Sequence, residues 1–166
     1  MNIGQYQENA SRTCPDLGSL EKNLLHMDIG IFTEMGEIAD IFKKWFAYGK
    51  EIDLVHLGEE IADVAWYQIN KDRFMGIIYD EHLFIPFLEL NYPIENEVLM
   101  RNVINYSQLS ASPIQIVYII CENFGLDFYK LLENNINKLK VRYPKKFNMA
   151  DALNRNLENE RKVLEQ

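Results

Sequence analysis

The strongest chemical signal in this chain is two pairs of carboxylates, Glu34-Met-Gly-Glu37 and Glu60-Ile-Ala-Asp63. In an α-helix, residues three apart lie on one face, about 60° apart around the axis. Each pair therefore projects two acids in nearly one direction. Glu34 falls at the edge of an apolar stripe that includes Met27 and Ile41, and Glu60 shares its face with Leu57, Val64 and Tyr67. If these stripes face a helical interior, four carboxylates face it too. Burying one bare charge costs several kcal/mol, and like charges raise each other's pKa. A divalent cation removes the conflict, and Mg²⁺ or Mn²⁺ prefers hard oxygen ligands. Neither motif contains His or Cys, which disfavours Zn²⁺. His56 lies one turn before Glu60, but a di-iron bundle centre requires Glu-x-x-His, and Glu37 and Asp63 occupy the places where that His would stand. Either acidic pair alone is an ordinary surface feature. Both together, inward-facing and separated by one hairpin (residues 38–59), point to a shared metal.

A second cluster lies near the C-terminus: Asn135, Lys138 and Arg142, spaced three and four apart on one side of a helix, followed by Tyr143-Pro144. Lys138 and Arg142 could bind phosphate through charge-assisted hydrogen bonds. A solvated basic face is the alternative, since cations are favoured near a helix C-terminus by the dipole.

The elements that must position these residues are helices. Apolar residues at Met27, Ile31, Met35, Ile38, Phe42 and Trp45 predict an amphipathic helix from Ser19 to about Tyr48, stopped at Gly49. Ser19 is the expected N-cap, with Lys22 leaving the capping box incomplete. Asp53 caps a second helix to about Lys71. Residues 72–95 carry no clear period. Further helices are expected over Glu95 to about Gln108, Ser112 to Phe124 and Asp127 to about Val141. Pro113 suits a first turn and Gly125 a helix end. Residues 1–18 read as polar and mixed, with Cys14 to Gly18 as loop, and the tail from Asn148 reads as charged and exposed. The expected fold is all-α, an antiparallel four-helix-bundle-like core with one additional inserted helix, within a single domain over 1–166.

Composition narrows the function. With 166 residues, 48% hydrophobic and 25% charged, the chain suits one folded domain rather than a disordered one. A net charge of −8 repels nucleic-acid phosphates, so no nucleic-acid polymer is expected as a partner. Cys14 and Cys121 form neither a zinc set nor a disulfide framework, and Cys121 reads as a core residue. Ile114 to Cys121, the most apolar run, is far short of the roughly 20 residues of a membrane span. Met1 to Asp16 lacks a signal-peptide pattern. The expectation is a cytoplasmic protein without membrane partners.

The stretch Asn23 to Tyr67 resembles the MazG-like all-α nucleoside triphosphate pyrophosphohydrolases. The likeness rests on Leu25-His26, Gly30, Glu34-x-Gly36-Glu37, Lys43-Lys44, Tyr48-Gly49-Lys50 and Glu59-Glu60-x-x-Asp63-Val64. It resumes at Asn135-Ile-x-Lys138-Leu-x-x-Arg142-Tyr143-Pro144 and Phe147, so that roughly half the chain is covered. The resemblance implies four or more helices, Mg²⁺ held by Glu34, Glu37, Glu60 and Asp63, and a homodimer or homotetramer. It implies hydrolysis of a nucleoside triphosphate to monophosphate and pyrophosphate, a house-cleaning role. By position, Asn135, Lys138, Arg142 and Tyr143 would contact triphosphate or nucleoside, Lys44 is a further candidate, and His26 or Trp45 would meet the base. The departure is a segment of about forty residues, 72–111, between the ExxD helix and the closing motif.

On that reading, metal ions bridge an anionic substrate to an acidic protein. A motif carboxylate or Glu59 takes the proton of the attacking water. Lys138 and Arg142 stabilise charge on the leaving pyrophosphate. Two other readings stay open: a non-catalytic helical scaffold or regulator, and a hydrolase of nucleoside diphosphates or modified nucleotides.

Overall fold

A long helical hairpin forms the frame of the molecule. Its first arm, α2 (Leu20–Tyr48), starts where the Ser19 hydroxyl accepts the Lys22 N–H at 3.3 Å, and it ends at Gly49 in the left-handed conformation (φ 65°). Its second arm, α3 (Leu54–Phe74), is capped by Asp53, whose carboxylate accepts the N–H groups of Val55 and His56. Lys71 pairs with Asp28, Tyr67 lies against Gly30, and Glu60 bonds Glu34. One partner number falls as the other rises, so the arms run antiparallel. A Cβ at Gly30 would stand 2.2 Å from the Tyr67 ring, so the missing side chain is what lets that ring lie on the α2 backbone.

These helices, with the rest of the structure, are seen in a computed structural model that describes residues 1–79, 94–108, 112–153 and 157–165. The fold is all-α, and no strand occurs among the described residues. α3 is the central helix, packed against α2, α5 (Pro113–Phe124), α6 (Phe128–Arg142) and α1 (Ile3–Ser11). Met27, Ile31, Met35, Ile38 and Phe42 of α2 are all buried, the stripe expected from their spacing. Removing each from water stabilises the fold by about 2 kcal/mol. Cys121 is fully buried in α5. The expected inserted helix is α4 (Asn96–Ile104), followed by a 3₁₀ turn over Tyr106–Gln108, and it packs on α2 through Leu99 and Val103. The remainder of the expected insertion, 80–93 and 109–111, lies outside the described residues.

Two expectations need correction. Residues 1–18 contain α1, which Asn2 and Gln5 cap reciprocally in a capping box, with Ile3, Tyr6 and Ala10 buried. The tail from Asn148 is not simply exposed. It forms α7 (Met149–Leu153) and α8 (Leu157–Leu164), and α8 packs on α6 with Glu160 buried. Charged residues fold back here because Glu160 meets the Arg142 guanidinium, a bidentate pair that offsets the loss of water.

Candidate functional site

The apolar stripes of α2 and α3 face each other, so the acids at their edges meet. Oxygens of Glu34, Glu60 and Asp63 all lie within 4.8 Å of one another, close enough to hold a metal ion jointly. Glu37, one turn beyond Glu34, is exposed and stands outside that group, although it borders the same cavity. His56 adds an imidazole beside the acids, its Nδ1 3.2 Å from Glu60 Oε1, and it forms a second group with Glu59 and Glu60.

The crowding has the electrostatic consequence that burial of like charges demands. Burial first, then the bond to Glu34 and the charge of Asp63, pushes the Glu60 carboxyl up to about 9. Glu34 is also raised, by burial and by Asp63, while its bond with Glu60 pulls the other way. Glu60 therefore holds a proton and donates it to Glu34. Asp63 is treated differently: Lys138 Nζ reaches its two oxygens at 2.9 and 2.7 Å, and Asn135 Nδ2 donates to Oδ1 at 2.6 Å. Lys138 also reaches Glu59 at 3.2 Å. Its side chain has no exposed surface. Burial opposes its charge, but Asp63 and Glu59 outweigh that and hold the ammonium above its ordinary value.

Above the acids opens a cavity of about 790 Å³. Glu34, Glu37, Glu59, Glu60 and Asp63 line one side; Trp66, Tyr67, Tyr143 and Phe147 make an aromatic wall. The loop after α1 closes one edge with Thr13, Asp16 and Leu17, and Met149 and Leu157 close another. Thr13 is fixed there by the indole N–H of Trp66 at 3.2 Å. His26 borders the cavity, edge-on to Tyr67, and its buried Nδ1 has no hydrogen-bond partner among the described residues; burial lowers its pKa.

No protein-family model, curated protein or solved structure matches this chain.

The fold brings together Glu34, Glu60 and Asp63 with Glu37, Glu59, His26, Arg142 and Tyr143 around one cavity. Asn135 and Lys138 are not at its surface but beneath it, bonded to Asp63. Arg142 reaches the cavity, yet its guanidinium is held by Glu160. Lys44 and Trp45 lie elsewhere. Trp45 is eleven residues after Glu34, about 16 Å along the helix at 1.5 Å per residue, and packs on Phe42 and Phe124. Lys44 pairs with Asp40 at the surface. Sequence reasoning missed Tyr6, Thr13, Trp66 and Glu160. Only Tyr6 left a usable signal, the capped stripe of Ile3, Tyr6 and Ala10; the partners of the other three are distant in sequence.

Proposed function

We propose that the chain is a Mg²⁺-dependent hydrolase that cleaves a ribo- or deoxyribonucleoside triphosphate to the monophosphate and pyrophosphate, cleansing the nucleotide pool. The observation that carries this reading is the convergence of Glu34, Glu60 and Asp63 from two helices at the floor of an aromatic-walled cavity. The donor set suits the ion: every ligand is a carboxylate oxygen, and the proton shared by Glu60 and Glu34 stands where a cation would relieve the same repulsion. Glu34, Glu60 and Asp63 would hold Mg²⁺, with Glu37 at the rim; Mn²⁺ would substitute. Bound there, the ion supplies Lewis-acid charge that neutralises phosphate oxygens.

The chain's own groups do the rest. Lys138 keeps Asp63 and Glu59 oriented by direct bonds from beneath. Glu59, presented to the cavity, takes the proton of the attacking water. Arg142, paired with Glu160, lies on the cavity wall where the pyrophosphate would depart, with Tyr143 beside it. The aromatic wall receives the base, with His26 at the border of the cavity. The setting is the cytoplasm. The assembly is a homodimer or homotetramer, in which a second copy covers the exposed Leu25, Ile29 and Phe32 of α2.

The test is a panel of nucleoside triphosphates, with diphosphates and modified nucleotides, assayed for pyrophosphate against orthophosphate. Pyrophosphate release that requires Mg²⁺ is expected, abolished in Glu34→Ala and Asp63→Ala while helical circular dichroism persists. Turnover of no nucleotide, or Mg²⁺-dependent turnover in both variants, would overturn the proposal. One observation favours a second reading, a non-catalytic helical module: Lys138 and the shared proton satisfy the acids without a metal. Absence of Mg²⁺ binding in calorimetry would select it.

A further inference from the structure

Asp63 is the acid of the site whose position depends most on the last long helix, since among the described residues the hydrogen bonds to its carboxylate come from Asn135 and Lys138 of α6. Lys138 needs no help to face an anion. Asn135 does, because the two ends of its amide have nearly one shape and opposite hydrogen-bonding character. Asn135 is wholly buried, so water is not at hand to satisfy whichever end turns away. The group that meets the far end is Tyr6, from a helix more than a hundred residues earlier. Its hydroxyl donates to Asn135 Oδ1 at 3.0 Å, with the Ala62 carbonyl second at 3.3 Å. Ala62 immediately precedes Asp63, so one phenol hydroxyl touches the partner of Asp63 and the backbone that carries it.

We propose that Tyr6 is a positioning residue of the metal site, holding Asn135 so that its amide nitrogen, not its oxygen, faces Asp63. The inference rests on the reading of Glu34, Glu60 and Asp63 as metal ligands. Three observations support it. Tyr6 has no exposed surface, and burying a hydroxyl is costly unless it is bonded, so a Phe ring would fill the same space at less cost. The helix that delivers it is built to stay in place: α1 is capped at Asn2, packs on both α3 and α6, and is followed by the backbone bond from Phe147 N–H to the Arg12 carbonyl. Burial, then the negative charge of Asp63, holds the phenol pKa well above its ordinary value, so the hydroxyl stays a donor. Without that donor, Asn135 Oδ1 is a buried acceptor left unmade, and rotation of the amide to relieve it withdraws the bond to Asp63.

Tyr6→Phe tests this in the full chain, read by calorimetric titration with Mg²⁺ and by the electron paramagnetic resonance of Mn²⁺. Affinity is expected to fall about tenfold, the usual scale for a group that orients a metal ligand. In an Asn135→Ala background the same substitution is expected to change nothing further, because the link is already cut. A structural role alone would lower the melting temperature, leave affinity unchanged and act equally in both backgrounds; that pattern overturns the inference. Tyr6→Met, an unbranched chain without the hydroxyl, is read in the same way should the Phe variant not fold. Loss of fold in both variants makes Tyr6 structural and likewise overturns it. If the unsubstituted chain binds neither ion, the metal reading itself falls and takes this inference with it. Binding in the unsubstituted chain that Tyr6→Phe leaves intact overturns the role of Tyr6 alone.

Discussion

Among single side chains, Glu60 has the most unusual state: a carboxylic acid that keeps its proton at neutral pH because it is buried against Glu34. The raised value links folding to pH in a defined direction. An unfolded Glu60 releases its proton near its ordinary value of 4.5, whereas the folded one holds it to about 9. Between those limits the folded chain binds more protons, so stability that is full below the lower value is lost as pH rises towards the upper one. In the presence of a chelator, the melting temperature is therefore expected to decline from about pH 5 to pH 9. Glu60→Gln should flatten that decline, since an amide donates to Glu34 without titrating. A slope unchanged in Glu60→Gln would show that the proton sits elsewhere. Metal and proton compete for the same oxygens, so Mg²⁺ affinity is expected to rise over the same interval.

At the scale of elements, α8 folds back on α6 around a buried ion pair. Its Glu160 binds Arg142 of α6, with side chains 3% and 14% exposed, and its Arg161 reaches Asp53, the cap of α3, at 3.0 Å. The second contact is exposed and contributes little. The first is buried, and removing one partner strands the other charge. Glu160→Ala is expected to destabilise the protein by about 3 kcal/mol or more, measured by urea unfolding. A loss below 1 kcal/mol would mean that Arg142 finds water or another acid instead. The same contact explains why Arg142, read from sequence as a free basic group, faces the cavity already engaged.

For the whole molecule, the net charge of −8 and the acid-lined cavity act together. A divalent ion bound only by the folded chain stabilises it by about 2.7 kcal/mol at one hundred times its dissociation constant. Mg²⁺ is therefore expected to raise the melting temperature with a saturable dependence on concentration. NaCl at matched ionic strength should not reproduce it, because screening acts on all the charges and chelation on three or four. Equal effects of the two salts would argue against a chelating site.

The helices that frame the site were legible in the order of residues because their signals are local. Ser19, Asp53 and Asp127 cap through their own side chains, Gly49 and Gly125 stop helices by accepting a positive φ, and the period of Met27 to Phe42 turns one face inward. The pairing of Glu34 with Glu60 and Asp63 followed from the same periodicity, since a stripe carries its edge residues with it. What only the tertiary structure decided is which charges are already engaged. Lys138 lies under Asp63, Arg142 is bound to Glu160, and Tyr6 is tied to Asn135, each across a long gap in the chain. A charge or hydroxyl tolerates burial only with a partner, and which distant group becomes that partner depends on how the helices pack, not on spacing along any one of them.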